Sequence, residues 1–249
     1  MFEGIKNKRV LITGASSAIG GTMAELFAEY GAVVGIHYNK DKKNADKVRE
    51  KIRRQGGKAE LFKADLLDSA VPGRLVRRFT DKFGGIDVLI NNAGAGIHIA
   101  PLVELSDEDI AACVATNLTG VMYGCRRVAP LLKEQAAGTI INISSICDQQ
   151  AWPGFSIYGA AKAGLLSFSN HLHVELREFG VRVTCLTPSW GDTDFTAALG
   201  WEPKPEDVRC RMTQPEELGE IVAQVCELPA HLVMPTLMVL PLVQEIVPF

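Results

Sequence analysis

Seven short strand-like runs alternate with segments of helical spacing along almost the whole chain. The runs fall at 9–12, 33–37, 59–63, 88–91, 138–143, 182–186 and 236–240, and helical patterns occupy 21–30, 42–55, 71–83, 107–135, 158–179 and 215–227. A strand that passes through a helix before the next strand returns parallel to the first. The expected fold is therefore α/β, a doubly wound seven-stranded parallel sheet with helices on both faces. No repeat, low-complexity tract or linker breaks the pattern, so 1–249 is expected to be one domain. Helix starts are marked at Ser106 before Asp107-Glu108-Asp109, and by Thr213-Gln214-Pro215-Glu216, which fits a capping box.

Composition excludes several functions. A net charge of −3 gives no basic footprint for nucleic acid or an anionic membrane. The stretch 40–54 holds eight Lys/Arg against three acidic residues, but Ala45, Val48 and Ile52 form an apolar stripe that makes it a solvated helix. The six cysteines lack metal or C-x-x-C spacing, which points to reduced thiols, a cytoplasmic location and no metal. The apolar C-terminus is broken by Pro235, Pro241 and Pro248 and is not a membrane span.

The first strand runs into Thr13-Gly14-Ala15-Ser16-Ser17-Ala18-Ile19-Gly20. A glycine-rich turn at the first strand-to-helix junction brings backbone N–H groups and a helix N-terminus to a diphosphate. A plain turn has the same residues, and position in the doubly wound pattern favours the dinucleotide. The second strand ends at His37-Tyr38-Asn39-Lys40 with no acidic residue to grip ribose hydroxyls, while Asn39, Lys40 and Ser17 offer donors. NADP(H) is expected, with NAD(H) still possible. Asp65-Leu66 and Asn91-Asn92-Ala93-Gly94 end the third and fourth strands on the same edge.

Tyr158 and Lys162 lie four residues apart and so share a helix face. A phenol ionises near pH ~10; a neighbouring amine is expected to lower that value and fit the phenol for proton transfer.

Taken together, these motifs resemble the short-chain dehydrogenase/reductase superfamily in its compact, Rossmann-like form, over about Lys8 to Leu240. The pattern includes Thr116-Asn117, Ile143-Ser144-Ser145 and Pro188-x4-Thr193. The resemblance implies a hydride transfer between a nicotinamide cofactor and a ketone, aldehyde or secondary alcohol. By the same analogy Tyr158 is the general acid or base, Lys162 lowers its pKa and holds the nicotinamide ribose, Ser145 polarises the substrate oxygen, and Asn117 holds a relay water. The cofactor residues it implies are Gly14, Ser16, Ser17, Ala18, Ile19, Gly20, Asp65, Leu66, Asn92, Ala93, Gly94, Pro188 and Thr193. Two departures from the family pattern stand out: Ala18 replaces a usual glycine, and Ser189-Trp190 follows Pro188 in place of glycine.

Candidates for the substrate wall are Gly96, Ile97, His98, Gln150, Trp152, Phe155, Trp190 and 195–201, with His98, Trp152 and Trp190 foremost. Residues 190–211 have weak periodicity and are expected to form a substrate lid. Family members commonly pair through the helices at 107–135 and 158–179, which implies a homodimer or homotetramer. A sensor or scaffold that binds cofactor without turnover is the alternative, although such a protein is expected to lose the Tyr/Lys pair.

Overall fold

The computed structural model describes residues 3–68, 70–95, 98–193, 195 and 202–244. Its strands are β1 (Arg9–Ile12), β2 (Val33–Tyr38), β3 (Lys58–Lys63), β4 (Val88–Asn91), β5 (Gly138–Ile143), β6 (Val181–Pro188) and β7 (Thr236–Val239). All pair parallel in the order β3-β2-β1-β4-β5-β6-β7. Strand order reverses between β1 and β4, so the crevice at their carboxyl ends is the place where such sheets bind ligands. The helices are α1 (Ala18–Glu29), α2 (Lys42–Arg54), α3 (Val71–Phe83), α4 (Asp107–Val114), α5 (Gly120–Gln135), α6 (Ser156–Leu176), α7 (Glu206–Arg209) and α8 (Pro215–Glu227).

Alternation along each strand splits the core into two layers. Val10, Ile12, Ile90 and Ile141 point to the face covered by α1, α2 and α8, whereas Leu11, Leu89 and Ile140 point to α3, α5 and α6. Phe79 of α3 is fully buried against β2, where a Cβ on Gly35 would stand 2.6 Å from its ring. Burial of such a ring contributes roughly 1.5–3 kcal/mol.

Three local expectations are corrected. The helix expected over 107–135 is divided into α4 and α5 by a π-helical turn, Ala115–Thr119, which carries Asn117. An extra residue in a helix turn re-aims the side chains around it, a change that apolar periodicity does not reveal. The helix at 215 is capped by Gln214 and Glu217 instead of Thr213 and Glu216. Helix α1 begins at Ala18, ahead of the expected 21, because the Ser17 hydroxyl accepts from the Gly20 N–H. The Ser106 capping box forms with Asp109.

A buried polar chain crosses the second layer. Asn91 Nδ2 donates to Asn142 Oδ1 at 2.8 Å, and Asn142 Nδ2 donates to Ser169 Oγ at 2.9 Å, so β4, β5 and α6 are fixed in one register. Asn142 is fully buried. Replacing Asn142 by Leu leaves the Asn91 and Ser169 groups short of a partner, and urea unfolding should show a loss of about 2–4 kcal/mol. An unchanged midpoint would mean that the chain does not fix α6.

Candidate active site

The turn between β1 and α1 is held from three sides. Thr13 Oγ1 accepts from the backbone N–H of Asn92 (3.1 Å) and Ala93 (3.0 Å), and Asn92 Nδ2 donates to Thr13 O and Gly14 O. His37 takes the third side, although nothing in its sequence context singles it out. Buried at the end of β2, it accepts the Gly14 N–H through Nδ1 at 3.0 Å, and its Nε2 lies 3.2 Å from Ala64 O. An accepting Nδ1 leaves the proton on Nε2, directed at Ala64. One neutral imidazole thus ties the glycine turn to the loop after β3.

The four residues singled out by resemblance come together where β4 and β5 end. Lys162 is 4 % exposed, and its Nζ donates to Ile143 O, the last carbonyl of β5, at 2.9 Å. Ser144 Oγ donates to Lys162 O at 3.3 Å, fixing the helix turn to the strand end. The Lys162 ammonium lies 5.7 Å from the centre of the Tyr158 ring, and the Ser145 hydroxyl hydrogen-bonds the phenol. Asn117 Nδ2 donates to Ala95 O (2.8 Å) and Cys113 O (3.0 Å), while Oδ1 accepts from Ala95 N (3.2 Å). Gly94 lies close between them: a Cβ there would stand 3.0 Å from Asn117 Oδ1 and 3.4 Å from Lys162 Nζ, a tight fit that glycine avoids.

Electrostatics differ from expectation at one point. Burial lowers Lys162 to about 8, nearby thiols and Asp148 acting the other way. Tyr158, expected to be depressed by that amine, is instead pushed above its ordinary value by burial, and only the Ser145 hydrogen bond pulls it back. The ammonium is bonded to Ile143 O and lies over the tyrosine ring, 5.7 Å from its centre, and desolvation wins.

Ser145, Tyr158 and Lys162, but not Asn117, line a cavity of about 1170 Å³, above the usual range for a single small ligand. Ser16, Ser17, Ala18, Ile19, Asn92, Gly94, Pro188 and Thr193 line it with Ser145, Tyr158, Lys162, Trp152 and Trp190. Gly14, Gly20 and Ala93 instead form the frame behind the turn: Cβ atoms on Gly14 and Gly20 would meet Ala93 Cα at 2.8 Å and Asn92 Nδ2 at 2.5 Å. Asn39, Lys40, Asp65 and Leu66 are also off the lining; Asp65 Oδ1 accepts the Leu67 N–H, and Leu66 packs on the core. Polar side chains on that flank include Asn44, Lys47 and Lys51 of α2, Glu25 of α1, which takes the Lys51 amine at 2.6 Å, and Asp41, whose carboxylate caps the helix through the Asn44 N–H. The turn, the α1 N-terminus and these donors fit a dinucleotide.

His98 is not part of the lining. It adopts φ 35° and sets Nδ1 3.2 Å from Asp109 Oδ2, outside the cavity. Gly96, Ile97 and residues 196–201 lie outside the described residues. A further contact that sequence reasoning missed is Thr187 Oγ1 donating to Asp148 Oδ2 at 2.7 Å, which pins the end of β6 to the Ser145 turn.

Burial lowers His37 from 6.5 to about 4. A depressed pKa stabilises the fold fully above pH 6.5 and progressively less as pH falls towards 4, by roughly 3 kcal/mol in all. Urea titrations of the parent and His37→Gln across that range should therefore converge as pH falls. A pH-independent difference would rule out the neutral clamp.

Comparison with known proteins agrees with this geometry. Residues 8–203 match the short chain dehydrogenase family model. A 3-oxoacyl-[acyl-carrier-protein] reductase of Synechocystis sp. is 35% identical over 88% of this chain and 89% of its own. A 3beta-hydroxysteroid dehydrogenase 1 of Eggerthella lenta is 33% identical over 82% of this chain and 78% of its own. The closed form of serine dehydrogenase complexed with NADP+ superposes with a TM-score of 0.86 at 28% identity, covering 96% of this chain and 97% of that one. With its parallel sheet and these relatives, all named as oxidoreductases, the chain belongs to the short-chain dehydrogenase/reductase family.

Proposed function

We propose that the protein is an NADP(H)-dependent oxidoreductase that transfers a hydride between the cofactor and a ketone, aldehyde or secondary alcohol. The observation that carries this reading is the burial of Lys162 beside Tyr158, with Ser145 on the phenol. A buried ammonium is costly, and one held beside a phenol in a cavity has a chemical rationale. A sensor or scaffold has no use for it.

In reduction Tyr158 is the general acid; burial keeps the phenol protonated until an alkoxide forms beside it. Ser145 donates to the same substrate oxygen and stabilises its developing charge. In oxidation Tyr158 is the base. When bound, the cofactor supplies or accepts the hydride and, in its oxidised form, adds a positive charge near the phenol. Lys162 replenishes the proton and holds the nicotinamide ribose. Both Asn117 amide protons are engaged by Ala95 and Cys113, so a relay water would donate to the remaining lone pair of Oδ1.

The preference for NADP(H) is supported by Lys47 on the cavity and by the commitment of Asp41 to its cap; Lys51, on the same flank, is paired with Glu25 at 2.6 Å. The chain acts as one cofactor-binding and catalytic domain, with 190–211 as a lid. At the lid's base Arg209 pairs with Asp192 at 2.8 and 3.2 Å, and Gly191 bridges to Thr213. The proposed setting is the cytoplasm, in keeping with free thiols at all six cysteines, and the proposed assembly is a homodimer or homotetramer formed through the helices at 107–135 and 158–179.

Fluorescence titration should give an NADPH dissociation constant at least about tenfold below that of NADH, a gap of about 1.4 kcal/mol. Equal affinities would overturn the NADP(H) preference, and no binding of either would overturn the reading itself. Tyr158→Phe should bind cofactor within about twofold of the parent and lose at least 10²-fold in turnover. Undiminished turnover would remove Tyr158 from the proton transfer.

A further inference from the structure

The end of the cavity around the Tyr158 phenol differs from the rest. Trp152 and Phe155 meet edge-on at 6.4 Å, Phe155 and Tyr158 at 6.1 Å, and Tyr158 and Phe195 meet at 6.0 Å with planes tilted by 47°. All four rings line the cavity. The arrangement is built locally: Phe155 N–H donates to Trp152 O at 3.2 Å across a turn in which Gly154 takes φ +82°, and Phe155 stands one helical turn before Tyr158. Phe155 and Phe195 therefore flank the tyrosine ring, one edge-on and one tilted, and Trp152 extends the aromatic wall through Phe155.

Much of the charge on the lining sits on another flank, while the Lys162 amine stands at this end, 5.7 Å from the centre of the Tyr158 ring. Ile146, Cys147 and Pro153 complete its wall, whereas Glu25, Asp41, Lys47, Lys51 and Glu216 line the flank formed by α1, α2 and α8. Of the remaining charged lining residues, Lys162 is the buried amine, and Lys204 lies 4.4 Å from the centre of the Trp190 ring, covering one face of that indole. Glu202 belongs to the same segment as Lys204.

Rigid aromatic walls favour a rigid ligand. A ring presents its area to aromatic faces in one conformation, whereas a flexible chain must lose rotamer freedom for each contact. We propose that the substrate is a carbocyclic ketone or ring secondary alcohol, held by Phe155 and Phe195 with its oxygen at Tyr158, rather than an open-chain acyl thioester. The proposal rests on the hydride-transfer reading and narrows it.

The test uses the purified full chain with NADPH and four ketones: 4-methylcyclohexanone, the fused-ring 2-decalone, open-chain 2-decanone, and the acetoacetyl thioester of N-acetylcysteamine. The expected result is a kcat/KM for 2-decalone at least about tenfold above 2-decanone and the thioester. Phe195→Ala and Phe155→Ala should each raise KM for 2-decalone by about tenfold and affect 2-decanone much less, with Phe155→Leu in between. Preference for the thioester or 2-decanone, or equal effects of both alanine variants on ring and chain, would overturn the ring assignment. If none of the four turns over, saturable quenching of tryptophan fluorescence by 2-decalone in the NADPH complex decides. Its absence with NADPH still bound overturns the ring assignment alone; failure to bind NADPH overturns the hydride-transfer reading beneath it.

Discussion

An ammonium group taken out of water needs a fixed acceptor, and the Lys162 amine has one in the last carbonyl of β5. Much of the site follows from that single hydrogen bond. The carbonyl is free because parallel strands end their ladder there, and α6 must lie over the strand end for Lys162 to reach it. Ser169, one helix face further along α6, is anchored to Asn142 of β5, and Ser144 binds the Lys162 carbonyl. The same contacts that set helix on sheet therefore set amine beside phenol. Stability and chemistry share one buried polar network.

The opposite half of the crevice is organised around backbone groups. Thr13, Asn92 and His37 immobilise the glycine turn so that the α1 N-terminus faces the cavity without rearrangement. Preorganised N–H groups cost nothing to orient when an anion arrives. The crevice thus divides by chemistry: polar backbone and charged side chains of both signs towards α1, α2 and α8, aromatic rings towards α6. A ligand that transfers charge and a ligand that is mostly apolar can meet at the boundary, where Tyr158 stands.

The sheet, its parallel sense and the four residues that gather at its edge were legible because each depends on order and spacing along the chain. What escaped depends on through-space partners. The π turn at Ala115–Thr119 keeps the apolar period of the surrounding helices, so one continuous helix was the natural reading. His37 sits in a strand whose other residues are apolar, and its role exists only because Gly14 and Ala64 approach it from distant segments. His98 and Lys40 looked available for binding because they end loops, yet His98 pairs with Asp109, and Asp41, not Lys40, faces the cavity. The rise in the Tyr158 pKa was equally invisible, since residue spacing reports the nearness of an amine but not the loss of water around a phenol.

Lys162 and Tyr158, buried together at the carboxyl edge of the sheet, are proposed to form a desolvated acid–base unit. Its most direct test is an NMR titration of protein labelled at the lysine ε-carbons, with Lys162→Met used to assign the resonance. One lysine should titrate with a midpoint about 8 and be missing from the variant. If Lys162 titrates near 10.5 instead, the amine is solvated and the unit does not exist.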